Sequence, residues 1–293
     1  MDIPSVDYIL DEAAKYNMAI WQVVLKEEQA DSGETEEEIR SKLEKAYQVM
    51  KDAAMGGISS EMKSVSGLTG GDAAKYYRHY KNRKNMMGSL EAKAMSYSLG
   101  TSEYNAAMGI IVAAPTCGSS GILPGVMIAA QEEFGFTDRE AVNGWITAGG
   151  IGAVIAPRAT ISGAAGGCQA EVGSAAAMAA AALTHILGGT AQQCADAYAM
   201  ALANLLGLVC DPVAGLVEVP CVKRNVIGAV NAVSAANMAV AGITSRIPVD
   251  EVIDAMGEIG DALPADLRET GLGGLAATPT GRKIARKVTH ADP

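Results

Sequence analysis

Residues 174–189 read SAAAMAAAALTHILGG. Seven of the first nine residues are alanine, the strongest helix former, whereas strands favour β-branched and aromatic side chains. The stretch therefore predicts helix, over about 169–187, ending at the Gly188-Gly189 pair. A helix of alanine lets neighbouring backbones come close, and the composition repeats the theme: 33 glycines and only 4% aromatic residues among 293. The fold class expected is all-α, a compact multi-helix domain packed through Ala and Gly, with glycine-rich loops between the helices.

Outward from that stretch, helical periodicity predicts further helices at 4–30, 35–55, 72–83, 86–99, 102–110, 121–134, 137–156, 190–207, 222–244, 249–258 and 279–287. Asp31, Ser32 and Gly33 punctuate the first two, and Pro248 opens the helix at 249. The Ser- and Gly-rich segment 58–71 divides an N-terminal helical pair (1–57) from a larger unit (58–293), the two expected to form one compact body.

The longest apolar stretches, AAMGIIVAAP (106–115) and 174–189, fall short of the roughly 20 residues of a membrane span. A net charge of −10 disfavours nucleic acid and anionic membranes, which call for a basic face. The acidic run GETEEEIR (33–40) reads as a solvated helix start. Five cysteines, an odd number, and no apolar leader after MDIPSVDYILDEAAKYN point to a reducing cytoplasm without structural disulfides.

Three of those cysteines stand at Gly or Pro breaks: Cys168 in GAAGGCQAEVG, Cys210 in CDPVAG and Cys221 in LVEVPC. At a break a thiolate and free backbone N–H groups can face one ligand; packed thiols are the plainer reading. Their spacing matches neither the zinc nor the ferredoxin patterns. Cys194 lies within the helical pattern AQQCADAYAMALANLLG, and Cys117 in the turn PTCGSSG.

Two more turns interrupt the apolar chain. In SGLTGGDAAK, Thr69, Gly70, Gly71 and Asp72 precede a helix and offer N–H groups to a carboxylate or phosphate. In AAPTCGSSGILPG, Thr116, Gly118, Ser119 and Ser120 concentrate hydroxyl donors. Caps use the same residues. Glu171 and Glu218 lie three residues from Cys168 and Cys221, near enough to support a metal site or to cap a helix. His79, His185 and His290 have no metal-binding spacing and read as structural or solvated. The basic cluster KNRKN (81–85), with Lys75 and Arg78 upstream, reads as a solvated face. Phosphate-loop, dinucleotide and nucleophile-elbow motifs are absent from the sequence.

The strings SEYNAAMGIIVAAPTCGSSGILPG (102–125), GCQAEVGSAAAMAAAA (167–182), CDPVAGLVEVPCVKRN (210–225) and GLGGLAATPTG (271–281), with SGLTGGDA, closely resemble the α-subunit of iron-sulfur-dependent L-serine dehydratase. The resemblance runs from about residue 58 to 287. It implies that Cys168, Cys210 and Cys221 hold a 4Fe-4S cluster, with no pyridoxal phosphate. Three thiolates on four irons leave one iron open as a Lewis acid for the substrate's carboxylate and hydroxyl. Loss of water from L-serine then gives aminoacrylate, which hydrolyses to pyruvate and ammonia. Substrate contacts are expected from Thr69, Gly70, Gly71 and Asp72 and from Thr116, Gly118, Ser119 and Ser120. Lys223, Arg224 and Asn225 are expected to balance the cluster's charge.

Longer single-chain members of that family add a second region and a cysteine near the C-terminus that can occupy the fourth iron. This chain ends RKVTHADP, so the open position is expected to be free. The other region is a separate β-subunit in two-chain members and carries the candidate base histidine. An αβ assembly is therefore expected, with the general base unassigned here. An iron-sulfur L-cysteine desulfidase and a non-catalytic helical scaffold are the alternatives that remain at this stage.

Overall fold

The structure, a computed structural model, describes residues 3–82 and 85–289. Thirteen α-helices follow one another among these residues. They are α1 (Val6–Tyr16), α2 (Ile20–Ser32), α3 (Glu36–Ser59), α4 (Asp72–Asn82), α5 (Ser89–Ala106), α6 (Ile122–Phe134) and α7 (Asp138–Arg158). After them come α8 (Gly163–Gly166), α9 (Ser174–Ile186), α10 (Ala191–Ala203), α11 (Cys221–Val240), α12 (Val249–Ala262) and α13 (Pro279–Thr289). The fold is all-α, as expected. Its one isolated backbone bridge among the described residues joins Cys210 to Arg268, and no described helix is long and apolar enough to cross a membrane.

The alanine stretch is the axis of the molecule. Every residue of α9 from Ser174 to Thr184 is buried, and α6, α7, α10 and α11 pack around it. Small side chains on all faces make this possible, since a helix apolar all round is stable only when enclosed. Thr35 and Glu38 form a reciprocal capping box at the start of α3, so the acidic run is indeed a solvated helix start.

Three expectations change. The segment 4–30 is two helices, because Asn17 turns left-handed (φ 52°) and the Met18 N–H closes on the Ala13 carbonyl at 2.9 Å, a C-cap that Asn tolerates. Three helices, not two, therefore precede residue 60. They share the common core: Asp250 at the start of α12 accepts the N–H groups of Val6 and Asp7, each at 3.0 Å, and α3 packs on α5, α6 and α7.

The expected pair 86–99 and 102–110 is one helix, α5. Gly100 does not end it but lies where α5 crosses α3. A Cβ on Gly100 would stand 2.6 Å from the Ala54 carbonyl oxygen, and one on Gly57 would strike the Gly100 backbone. Beyond Ala106 the chain is irregular rather than helical. Finally, residues Gln169–Gly173 form a π-helical turn before α9, where sequence periodicity continued the α-helix.

Candidate active site

Cys168, Cys210 and Cys221 are all buried, and no disulfide joins them. Cys168 stands directly before the π turn, a local geometry that recurs at functional sites because it re-aims side chains. Gly167 ahead of it has φ +77°, and a Cβ there would lie 2.9 Å from the Leu208 oxygen; only glycine admits this approach. Gln169, fully buried, fastens the turn on three sides. Its Nε2 donates to the carbonyls of Gly166 (2.9 Å) and Met256 (3.0 Å), and its Oε1 accepts the Gly207 N–H at 2.9 Å.

Cys210 is set by its main chain. Its N–H donates to Leu267 O (2.9 Å), and its carbonyl accepts from Glu269 N (2.7 Å), which pins the 263–274 loop beside it. Glu269 has φ +64°, the left-handed region that a non-glycine residue rarely adopts. Cys221 is the first residue of α11, so its thiol meets the positive end of a helix. The sequence breaks thus deliver three thiols to one region.

Their electrostatics are linked. The Cys210 thiol, hydrogen-bonded to Cys168, holds the Cys168 thiol below its ordinary range against the opposing effect of burial, and the Arg224 guanidinium lowers it further. Cys210, the donor of that bond, is raised. Burial pushes Cys221 up to about 12, and the Cys168 charge adds to this. Arg224 is itself anchored: its Nη2 meets Asp211 Oδ1 at 2.8 Å and its Nη1 donates to Val209 O at 2.8 Å. Asp211 Oδ2 accepts the Leu275 N–H at 2.7 Å, tying in the GLGGLAATPTG string.

The other two residues named beside Arg224 do different things. Lys223 is exposed and lies 3.6 Å from Asp72, linking the starts of α11 and α4. Asn225, 1% exposed, is a clamp. It accepts from Gly121 N (2.9 Å) and donates to Gly118 O (2.8 Å) and Cys221 O (3.0 Å), fixing the 116–121 turn against Cys221.

Both hydroxyl-bearing turns address glutamates. Thr116 Oγ1 donates to Glu171 Oε1 at 2.7 Å and lies 3.1 Å from Ser119 Oγ, while Ser120 Oγ donates to Cys117 O at 2.8 Å. Thr69 Oγ1 and Ser66 Oγ donate to the two oxygens of Glu218, each at 2.7 Å. The N–H groups of Asp72 and Ala73, offered in the sequence as an anion site after Gly70 and Gly71, are taken by Glu103 at 3.0 and 3.1 Å. Burial raises the Glu103 carboxyl, partly countered by those N–H donors. Burial also raises Glu171, with Glu269's charge adding and Thr116's bond opposing.

Gly118 and Gly163 flank Glu171. A Cβ at Gly118 would lie 3.0 Å from Oε1, and one at Gly163 would lie 2.6 Å from Oε2 and 3.2 Å from the Cys210 sulfur. A side chain at either position would crowd the carboxylate, and at Gly163 also the Cys210 thiol. Among the described residues, no three His, Cys, Asp or Glu side chains surround the point a single metal ion would occupy; a larger group needs more widely spaced donors.

Cys194 is buried in α10, and burial pushes its thiol up to about 12. Cys117 is exposed in its turn. His79 is exposed on α4 beside Lys75, and His185 is shifted down by burial at the end of α9. His290 lies outside the described residues, as do Arg83 and Lys84 of the basic cluster. Sequence reasoning missed Glu103, Gln169, Asp211 and Glu269. The first three stand inside strings already singled out, but nothing in the sequence marks a left-handed glutamate.

Comparison with known proteins identifies the family. The sequence profile described as "Serine dehydratase alpha chain" matches residues 15–276. A protein of Bacillus subtilis (strain 168), "Probable L-serine dehydratase, alpha chain", is 50% identical over 284 residues, covering 97% of this chain and 94% of that one. The "L-serine dehydratase, alpha chain" of Peptoniphilus asaccharolyticus is 48% identical over 278 residues, 95% of each chain. The "L-serine dehydratase" of Mycobacterium bovis is 39% identical over 280 residues, which cover 93% of this chain but 60% of that longer protein. The profile match, two relatives alike over nearly their whole length, and the cysteine- and glycine-bearing turns make this chain a member of the serine dehydratase alpha chain family.

Proposed function

We propose that the chain is the catalytic subunit of an L-serine dehydratase, eliminating water from L-serine to yield pyruvate and ammonia, with a 4Fe-4S cluster held by Cys168, Cys210 and Cys221. The observation that carries this reading is the gathering of three buried thiols from three separate breaks, linked through Cys168 to a largely buried Arg224 side chain. An all-thiol donor set suits iron-sulfur ligation, and glycines at 118 and 163 let the backbone come close to Glu171 and, at 163, to Cys210. When bound, such a cluster supplies an iron lacking a thiolate, a Lewis acid for the substrate's carboxylate and hydroxyl.

The chain's own residues prepare that chemistry. Arg224 favours the thiolate form of Cys168, and at Cys221 it works against the rise that burial imposes. Asn225 keeps the Thr116–Ser120 turn in register with Cys221, and Glu218 keeps the Thr69 turn in place through its hydroxyl bonds. Thr69, Thr116 and Ser119 are the hydroxyls proposed to meet substrate, Thr69 and Thr116 by giving up their bonds to Glu218 and Glu171, and burial limits water around the site. The general base is assigned to a companion chain, in keeping with the "alpha chain" in the relatives' names and the greater length of the Mycobacterium bovis relative.

The test is pyruvate release from L-serine by anaerobically prepared protein, alone and co-produced with its companion chain. Slow turnover alone, fast turnover together and loss of both on iron removal are expected. Turnover unaffected by stripping the iron would overturn the reading.

A further inference from the structure

We propose that the cleft around Trp145 is a binding site for a small uncharged molecule, apolar except for one acceptor oxygen, and that its occupancy is felt at the 116–121 turn. Two cavities, of about 180 and 210 Å³, share Leu43, Trp145 and Gly149 in their walls. The first lies between α2, α3 and α7, the second between α3, α7 and residues 112–115. An apolar cavity of about 150 Å³ holds a benzene-sized molecule, so either has room for a six-membered ring.

The Trp145 indole N–H is buried and has no acceptor among the described residues, a cost that a ligand oxygen would relieve. Tyr47, the other polar side chain lining the second cavity, already donates its hydroxyl to Gln131 Oε1 at 2.6 Å. The unused donor therefore calls for an acceptor. Gly149, one helical turn after Trp145, is exposed, and a Cβ built on it would meet nothing within 4 Å, so the cleft is open at the position the two cavities share. No lysine or arginine lines either cavity, and Glu28 lines the first. A carboxylate would be buried there without a counter-charge, whereas a neutral carbonyl or hydroxyl oxygen meets the indole without that penalty.

Position gives occupancy a consequence. Pro115 and Leu123 in the wall of the second cavity bracket the 116–121 turn, whose Thr116 hydroxyl holds Glu171. A ligand pressing on both ends of that turn shifts the hydroxyls proposed to meet serine.

Cyclohexanone, a neutral ring with one carbonyl oxygen, is the probe, and cyclohexanecarboxylate is its charged counterpart. Indole N–H resonances of the nitrogen-15-labelled full chain report binding. The chain has two tryptophans, so Trp21→Phe identifies the resonance of Trp145. Cyclohexanone should move that resonance downfield and saturably, and the carboxylate should not. Gly149→Leu, which fills the shared space, should weaken binding about tenfold or more, and Leu43→Phe provides the same reading should the first variant fold poorly. With cyclohexanone saturating, KM for L-serine should change about fivefold or more, and less in the filled variants.

An unmoved Trp145 resonance, an equal response to the carboxylate, or undiminished binding in both variants would overturn the site. Binding with an unchanged KM would overturn its link to the turn, and binding abolished by the companion chain would assign the cleft to that partner instead. An enzyme that does not turn over serine would refute the functional reading while leaving the indole resonance readable, which separates the two failures.

Discussion

Replacing Arg224 with Met should separate two roles that the structure combines in one guanidinium. Its side chain is 13% exposed and its partner Asp211 5%, so the pair is buried, and removing one member strands the other's charge. The cost of breaking such a pair is about 3–5 kcal/mol, most of it the burden of the stranded charge rather than the worth of the pair. With a urea slope near 3 kcal/mol/M for a chain of this size, the unfolding midpoint should fall by roughly 1–1.7 M.

The double variant Arg224→Met with Asp211→Asn removes the stranded charge and leaves a side-chain oxygen to accept the Leu275 N–H, so most of the stability should return. Cys168, in contrast, has lost its cation in both variants. Its thiol should titrate higher and retain iron less well in each. Urea unfolding of iron-free protein and iron content after anaerobic reconstitution read the two roles independently. A double variant that regains stability and also holds iron like the wild type would refute the role given to Arg224 at Cys168.

Gly57→Ala should destabilise by about 1–3 kcal/mol or more, because the new Cβ meets the Gly100 backbone across the α3–α5 crossing. Gly33→Ala, where nothing lies within 4 Å and only φ +73° objects, should cost about 1 kcal/mol, and equal melting temperatures for the two would contradict this account of the crossing. His185 is shifted below its unfolded value by burial, so the unfolded chain binds its proton first as pH falls, and stability is lost below about pH 6.5 down to the folded value. His185→Gln should flatten the decline of melting temperature between pH 7 and 5 relative to wild type, and an identical pH slope would count against it. Thr116→Ala should lower kcat/KM for serine about tenfold to a hundredfold with iron content retained, whereas a lower melting temperature with normal kinetics would reduce that hydroxyl to a tether for Glu171.

The parts of this structure written in side-chain size and periodicity were readable in advance. The alanines of 174–182 announce an enclosed helix, and Thr35 with Glu38 announces a cap. What the sequence conceals are places where one residue type serves two ends. Gly100 has the look of a helix stop, yet it is a crossing point whose meaning depends on Gly57, forty-three positions earlier. Asn17 ends a helix through a left-handed turn that periodicity alone does not show. At the site, the cysteines at Gly and Pro breaks were visible as a pattern, and the thiols do converge. The partners of the hydroxyls were not visible, because Thr69 and Glu218 meet only through the fold. The α4 N-terminus looked like an open anion site, but a carboxylate from α5 occupies it. The π turn before α9 shifts Glu171 away from where a regular helix would place it, and no composition rule signals that extra residue.

The central claim is that Cys168, Cys210 and Cys221 together hold one cluster. Iron and acid-labile sulfide, counted per chain in anaerobically purified protein, test it most directly across single Cys→Ser variants. The account predicts about four of each in the wild type, a marked loss in the Cys168, Cys210 and Cys221 variants, and wild-type content in Cys194→Ser, whose thiol is enclosed within α10. Iron and sulfide unchanged in all three site variants, or lost only with Cys194, would contradict it.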